Sequence, residues 1–248
     1  MRAFSRTDTG RRRDMNQDYV YTSETPVGNL PNLFILADGM GGHNAGDYAS
    51  RYTVEVIVAS VRNSSEPSPV SIIQSAIQQA NQAVMEKART DIDLEGMGTT
   101  VVVATRKGQE LCVANVGDSR LYLAGTTFRQ VTKDHSYVQE MVRRGEISKE
   151  AARTHPDRNI ITRAVGGGRG LDVDFFEVGL AEGDQILMCS DGLTDMLEDE
   201  EIFEIIKENQ DVQGAIDELV DTANSYGGND NITIILTEPF SSGEVKIC

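Results

Sequence analysis

Apolar positions along this chain follow two periods. Val54, Ile57, Val58 and Val61 recur at spacings of three and four within residues 45–61. Val70, Ile73, Ile77, Ala80 and Val84 do the same up to about residue 89. Each stripe predicts an amphipathic helix with one buried face. A second such pair follows late in the chain, with Ile202, Phe203, Ile205 and Ile206 in residues 199–208 and Val212, Ile216, Leu219, Val220 and Ala223 in residues 212–226. Short alternating or β-branched runs fill the rest: residues 2–9 as an edge strand, 19–21, 33–37, 99–105, 110–116, 120–124, 173–178, 185–190 and 231–237. The turns Lys107-Gly108 and Gly117-Asp118 make residues 99–124 read as an antiparallel meander. Residues 137–153 are polar and helical without a strong apolar period. They belong to a candidate flap over a site, whose segment 145–164 is expected to govern substrate choice. Strands and helices segregated in this order predict an α+β fold: two antiparallel β-sheets packed as a sandwich, with a helix pair on each outer side. Residues 1–240 are expected to form a single domain, and residues 241–248 a frayed tail.

Four apolar runs end in the same way. Leu33-Phe34-Ile35-Leu36-Ala37 leads into Asp38 and then Gly39, Gly41 and Gly42. The run 111–117 leads into Asp118, and 186–190 into Asp191-Gly192. Asp230-Asn231 opens the final apolar run. If these strands share one β core, four carboxylates converge at their tips and would repel strongly without a counter-charge. A hard divalent cation with oxygen ligands, Mg²⁺ or Mn²⁺, is the usual solution. The acids at Asp91 and Asp93 form no EF-hand, because the closing glutamate position holds Val102. That segment reads as a solvated loop.

Charge and cysteine count narrow the classes further. A formal net charge of −16 over 248 residues argues against nucleic acid and anionic membranes as partners. A phosphate-bearing substrate then needs local positive charge, from metal ions or from arginine. Arg11-Arg12-Arg13 offers guanidinium groups suited to a bidentate phosphate contact, or simply a solvated basic turn. Cys112, Cys189 and Cys248 lack zinc-ligand spacing. No apolar run has the length of a membrane span, and the first residues have no signal-peptide core. A reduced, cytoplasmic setting is expected.

Six motifs in order give a more specific reading: Arg13-Asp14-Met15-Asn16-Gln17-Asp18, Asp38-Gly39-Met40-Gly41-Gly42-His43, Gly98-Thr99-Thr100, Gly117-Asp118-Ser119-Arg120, Ser190-Asp191-Gly192 and Asp230-Asn231. Together they resemble the motif series of the bacterial metal-dependent (PPM, type 2C) serine/threonine protein phosphatases, over residues 7–237. The resemblance implies a β-sandwich with a metal centre at one end, holding two to three divalent cations, Mn²⁺ or Mg²⁺. It implies that Asp38 bridges two metals, that the Gly39 carbonyl binds the second, and that Asp191 and Asp230 complete the first site. Asp118 with Asp191 would hold a third, weaker metal. Arg13 would take the substrate phosphate, and Asp18 would hold metal-bound waters. The reaction implied is hydrolysis of phosphoserine and phosphothreonine in proteins by a metal-activated water.

Animal members of that family carry a histidine directly after the Asp-Gly pair as general acid, where this sequence has Met40. His43 lies nearby and either donates the proton or holds the turn. His135 and His155 have weaker claims, and a metal-bound water is a further alternative. Neither Cys112 nor Cys189 precedes a Gly-rich loop ending in arginine, which excludes the cysteine-phosphatase arrangement. Two rival readings are a phosphoprotein-binding module without catalysis and a phosphatase of anti-sigma-factor antagonists. The four aspartates weigh against the first, and the lack of room for a sensory domain against the second. The expected enzyme is a monomer acting on phosphoproteins and opposing a cytoplasmic Ser/Thr kinase.

Overall fold

Several strands are apolar at nearly every position because each sheet is covered on both faces. The structure, a computed structural model, describes residues 1–42 and 45–240. In chain order, β1 (Arg2–Asp8), β2 (Asp18–Ser23) and β3 (Leu33–Met40) precede helices α1 (Ala45–Arg62) and α2 (Pro69–Thr90). Strands β4 (Gly98–Thr99), β5 (Val101–Lys107), β6 (Glu110–Val116), β7 (Arg120–Ala124) and β8 (Phe128–Gln130) follow. Short helices α3 (Tyr137–Arg143) and α4 (Lys149–Arg153) lead to β9 (Asp174–Gly179) and β10 (Gln185–Cys189). The chain then forms α5 (Asp191–Thr194), α6 (Asp199–Glu208), α7 (Val212–Ser225) and β11 (Ile232–Glu238).

One sheet has the order β2-β3-β5-β6-β9, with β4 paired to β3, and the other β1-β11-β10-β7-β8; every pairing is antiparallel. The strand alternation sorts side chains into three layers. Ile35, Ala37, Val101, Val103, Cys112 and Ala114 face α1 and α2, where Ile57, Val61, Ile73 and Ile77 meet them. Phe34, Leu36, Val102, Val113, Leu121, Ile186, Met188 and Ile235 fill the space between the sheets. Leu187, Cys189, Ile232, Ile234 and Leu236 face α6 and α7, against Ile202, Ile216 and Leu219. Cys112 and Cys189 are therefore small apolar residues of opposite outer layers. Burial pushes the Cys112 thiol up to about 11 and the Cys189 thiol higher still.

Local signals fix the helix starts. Ser68 caps α2, accepting from the Ser71 N–H with Pro69 in the first turn, and Asp211 caps α7 by accepting from the Gly214 N–H at 2.8 Å. The region 137–153 is two short helices rather than one. Gly145 takes φ +72° between them, and Ser148 starts a new helix by accepting from the Ala151 N–H. The loop at Asp91 contains a single exposed 3₁₀ turn, Ile92–Leu94.

The expected meander breaks at Gly117. β5 and β6 pair in one sheet, but β7 pairs with β10 in the other, so the chain changes sheets at Gly117-Asp118. Gly117 has φ +107°, and a Cβ there would lie 2.6 Å from Thr100 Cβ, so the turn demands glycine. Strand β8 and helix α5 are too short to show a period in the sequence. No helix among the described residues is long and apolar enough to cross a membrane.

Candidate metal centre

All four strand-tip aspartates lie at one end of the sandwich, delivered by both sheets. Asp38 ends the apolar part of β3 and stands opposite Asp18, the first residue of β2, in the antiparallel register. Thr100 fixes Asp38 twice: its Oγ1 accepts from the Asp38 N–H at 3.0 Å, and its own N–H donates to the Asp38 carbonyl at 2.8 Å. A Cβ on Gly39 would come within 2.0 Å of the Gly46 carbonyl oxygen, so only glycine lets α1 start against this strand end. Asp118 follows the Gly117 crossover. Asp191 opens α5 directly after β10, and Asp230 precedes β11. The same closeness recurs at Gly192, whose added Cβ would lie 2.0 Å from the Asn231 carbonyl oxygen.

These acids feel one another strongly. Burial and the charges of Asp18, Asp191, Asp118 and Asp230 push the Asp38 carboxyl well above the usual range. Asp191 is raised in the same way, by burial and then by Asp118, Asp195 and Asp230. Burial raises Asp18 to about 7, and burial with the charge of Asp134 raises Asp118 to about 7. Asp38, Asp118 and Asp191 are partly buried, the last two lining a cleft, whereas Asp18 is 6% exposed. Asp18 Oδ2 accepts from Ser190 Oγ at 2.8 Å, but its Oδ1 and the Oδ1 of Asp191 are buried without a partner.

Unpartnered anionic oxygens crowded together are what a divalent cation satisfies, and an all-oxygen donor set suits Mg²⁺ or Mn²⁺. Among the described residues no three acidic, imidazole or thiol side chains close into a tight cluster. Asp118 and Asp191 instead line a cleft, with Asp38 and Asp230 within electrostatic reach of them, an arrangement suited to ions that keep several waters. The donor set therefore fits the expected cofactor.

Arg13 reaches the same place, its Nη2 donating to Asp230 Oδ2 at 2.6 Å, and that contact raises its already high pKa. Its guanidinium is half exposed, with Asp191 and Asp38 also within electrostatic reach. The cleft beside Asp118 and Asp191 has a volume of about 520 Å³ and is bordered by Lys149, Arg153 and Arg158 of the 145–164 segment. Arg153 Nε meets Glu198 at 2.9 Å, and Arg158 Nε meets Asp195 at 3.4 Å, bridging that segment to the region just after α5. His43 lies outside the described residues. His155 lies near Asp157, its Nδ1 accepting that residue's N–H.

Three contributors carried no role in the sequence reading. Asp195 lies four residues after Asp191 and acts electrostatically on both Asp118 and Asp191. Its i, i+4 spacing from Asp191 was the available signal. Asn231 holds the Arg13 loop, since its Oδ1 accepts from the Gln17 N–H and its Nδ2 donates to the carbonyls of Thr9 and Met15. Ser190 joins Asp18 to the start of β11 by accepting from the Thr233 N–H at 3.0 Å. Nothing local in the sequence announces either of the last two contacts, which span 172 and 214 residues.

A family model described as protein phosphatase 2C matches residues 8–237. The serine/threonine phosphatase stp of Listeria monocytogenes is 42% identical over 243 residues, 96% of this chain and 96% of its own. The serine/threonine phosphatase Stp1 from Staphylococcus aureus superposes with a TM-score of 0.88 at 34% identity, covering 94% of this chain and 93% of that one. The catalytic domain of a serine/threonine protein phosphatase PstP, solved in complex with 2 manganese ions, gives a TM-score of 0.82 at 33% identity over 95% and 96% of the chains.

Proposed function

From the premise that this chain belongs to the protein phosphatase 2C family and is a metal-dependent protein serine/threonine phosphatase, we propose that the acidic end of the sandwich is its active site. Asp38 and the Gly39 carbonyl hold the metal pair together with Asp191 and Asp230, and Asp118 with Asp191 holds a third, weaker ion. The observation that carries this reading is the convergence of mutually repelling carboxylates, two of which have a buried oxygen with no partner. The cations, Mn²⁺ or Mg²⁺, supply charge for the phosphoryl group and lower the pKa of a bound water.

The chain's own residues do the rest. Asp18, steadied by Ser190 at one oxygen, has a second carboxylate oxygen free to accept a hydrogen bond and so orient a water. Arg13 has donors beyond the one given to Asp230, and its planar fork suits a phosphate oxygen pair. Met40 leaves the leaving-group proton to another donor, with His43 or a water as the choices. A phosphoprotein substrate lies in the cleft between the 145–164 segment and α6. Residues 1–240 act as one domain, the protein works as a monomer in the cytoplasm, and a cognate Ser/Thr kinase is the activity it opposes.

The test is hydrolysis of a phosphothreonine peptide and of p-nitrophenyl phosphate by chelator-stripped protein, with and without Mn²⁺. Activity should appear only with metal, and Asp38→Ala should reduce it to background while its circular dichroism is unchanged. Full turnover in that variant would sink the metal assignment. A well-folded wild type that is inactive with every metal would instead favour the phosphoprotein-binding reading.

A further inference from the structure

The Gly117–Asp118 crossover is held from outside mainly by one residue, His135, through its backbone and its ring. Gly117 offers two backbone polar groups, and His135 takes both. The His135 backbone N–H donates to the Gly117 carbonyl at 2.9 Å, and the Gly117 N–H donates to Nδ1 of the His135 ring at 3.1 Å. Asn115 Nδ2 adds a longer bond to the same carbonyl at 3.3 Å. A ring nitrogen that accepts carries no proton, so the proton sits on Nε2. Nε2 lies 3.2 Å from Asp174 Oδ2 on β9, beside Arg163 Nη1, which itself donates to Asp174 Oδ1 at 2.8 Å. His135 is 6% exposed. Its carbonyl accepts from the Thr162 N–H at 2.7 Å, tying the end of the 145–164 segment to the same point.

Because Gly117 is the residue at which the chain changes sheets, its peptide orientation sets the direction in which Asp118 leaves the turn. The left-handed φ is reached without Cβ strain but is not otherwise enforced, since glycine has many alternatives. We propose that His135 is a positioning residue for Asp118: its Nδ1 acceptor fixes the Gly117 peptide and so aims the Asp118 carboxylate at the cation it holds. This rests on the reading of Asp118 as a metal ligand. The role differs from general-acid chemistry, because the ring is buried and engaged at both nitrogens.

Two conservative substitutions separate the two ring nitrogens. In His135→Asn the amide oxygen falls near the Nδ1 position and can still accept from Gly117, while the contact with Asp174 is lost. In His135→Gln the amide reaches the Nε2 position and can still meet Asp174, while Gly117 loses its acceptor. Mn²⁺ binding to chelator-stripped protein, followed without substrate by calorimetry and electron paramagnetic resonance, is compared for wild type, Asp118→Asn and both His135 variants. Asp118→Asn should lose the weakest binding step. His135→Gln should weaken that step about tenfold or more, the range known for residues that orient ligands, and His135→Asn should stay near wild type. The tighter steps should not move in any variant. Equal weakening in both His135 variants, or none in His135→Gln while Asp118→Asn loses the step, overturns the inference. No change in Asp118→Asn overturns the reading of Asp118 and the inference with it.

Discussion

Arg13 illustrates how much one side chain's role depends on its neighbours. In the sequence it is one of three adjacent arginines, and only the motif resemblance, not the local pattern, distinguishes it from a solvated turn. In the structure Asn231 pins the loop through Thr9, Met15 and Gln17, and Arg13 is the member of the trio placed on Asp230. A charge-assisted bond from its guanidinium to the substrate phosphate, as proposed, would contribute about 1.5–3 kcal/mol. Arg13→Ala should therefore raise KM for a phosphothreonine peptide by about tenfold or more with a smaller change in kcat, the pattern of lost ground-state binding. Arg13→Lys should fall between, because a point charge lacks the planar fork. An unchanged KM in steady-state kinetics would take Arg13 out of the site.

Among the elements, the β6–β7 crossover matters more than any helix. Each strand is recognisable from its own residues, but the pairing of β7 with β10 rather than with β6 depends on contacts between residues far apart in sequence, Gln185 with Ala124 through Cys189 with Arg120. Gly117 makes that change of partner possible and carries Asp118. Gly117→Ala would force a side chain into φ +107° and against Thr100 at 2.6 Å. Strain of this kind costs about 1–3 kcal/mol. The variant should melt at a lower temperature and bind Mn²⁺ less tightly at the Asp118 site, measured by thermal unfolding and by titration of the stripped protein. A variant with wild-type melting and wild-type metal binding would contradict this account of the crossover.

At the scale of the whole molecule, the acidic end gathers mutually repelling carboxylates, a repulsion that cations at the proposed site would relieve. With Asp18 and Asp118 raised to about 7 in the folded state, the native protein binds more protons than the unfolded chain between about pH 4 and pH 7. Stability contributed by these groups is thus greatest at low pH and is lost as pH rises through that window. A cation that binds only the folded state restores it. The gain in Tm on adding Mn²⁺ to stripped protein should therefore be larger at about pH 8 than at about pH 5, and an equal gain at both would show that carboxylate repulsion is not what the metal relieves. The helix pairs, the central strands and the tip aspartates were legible in the sequence, because burial on one or two faces imposes a period and a strand tip is marked by glycine. The six ordered motifs were enough to indicate the family and its chemistry. The tertiary structure alone decided the sheet exchange at Gly117, the split at Gly145, the hold of Asn231 on the Arg13 loop and the engagement of His135 with the turn before Asp118. Each of these is a contact or a backbone angle chosen by residues distant in sequence, and periodicity records only which face of an element is buried, not what lies against it.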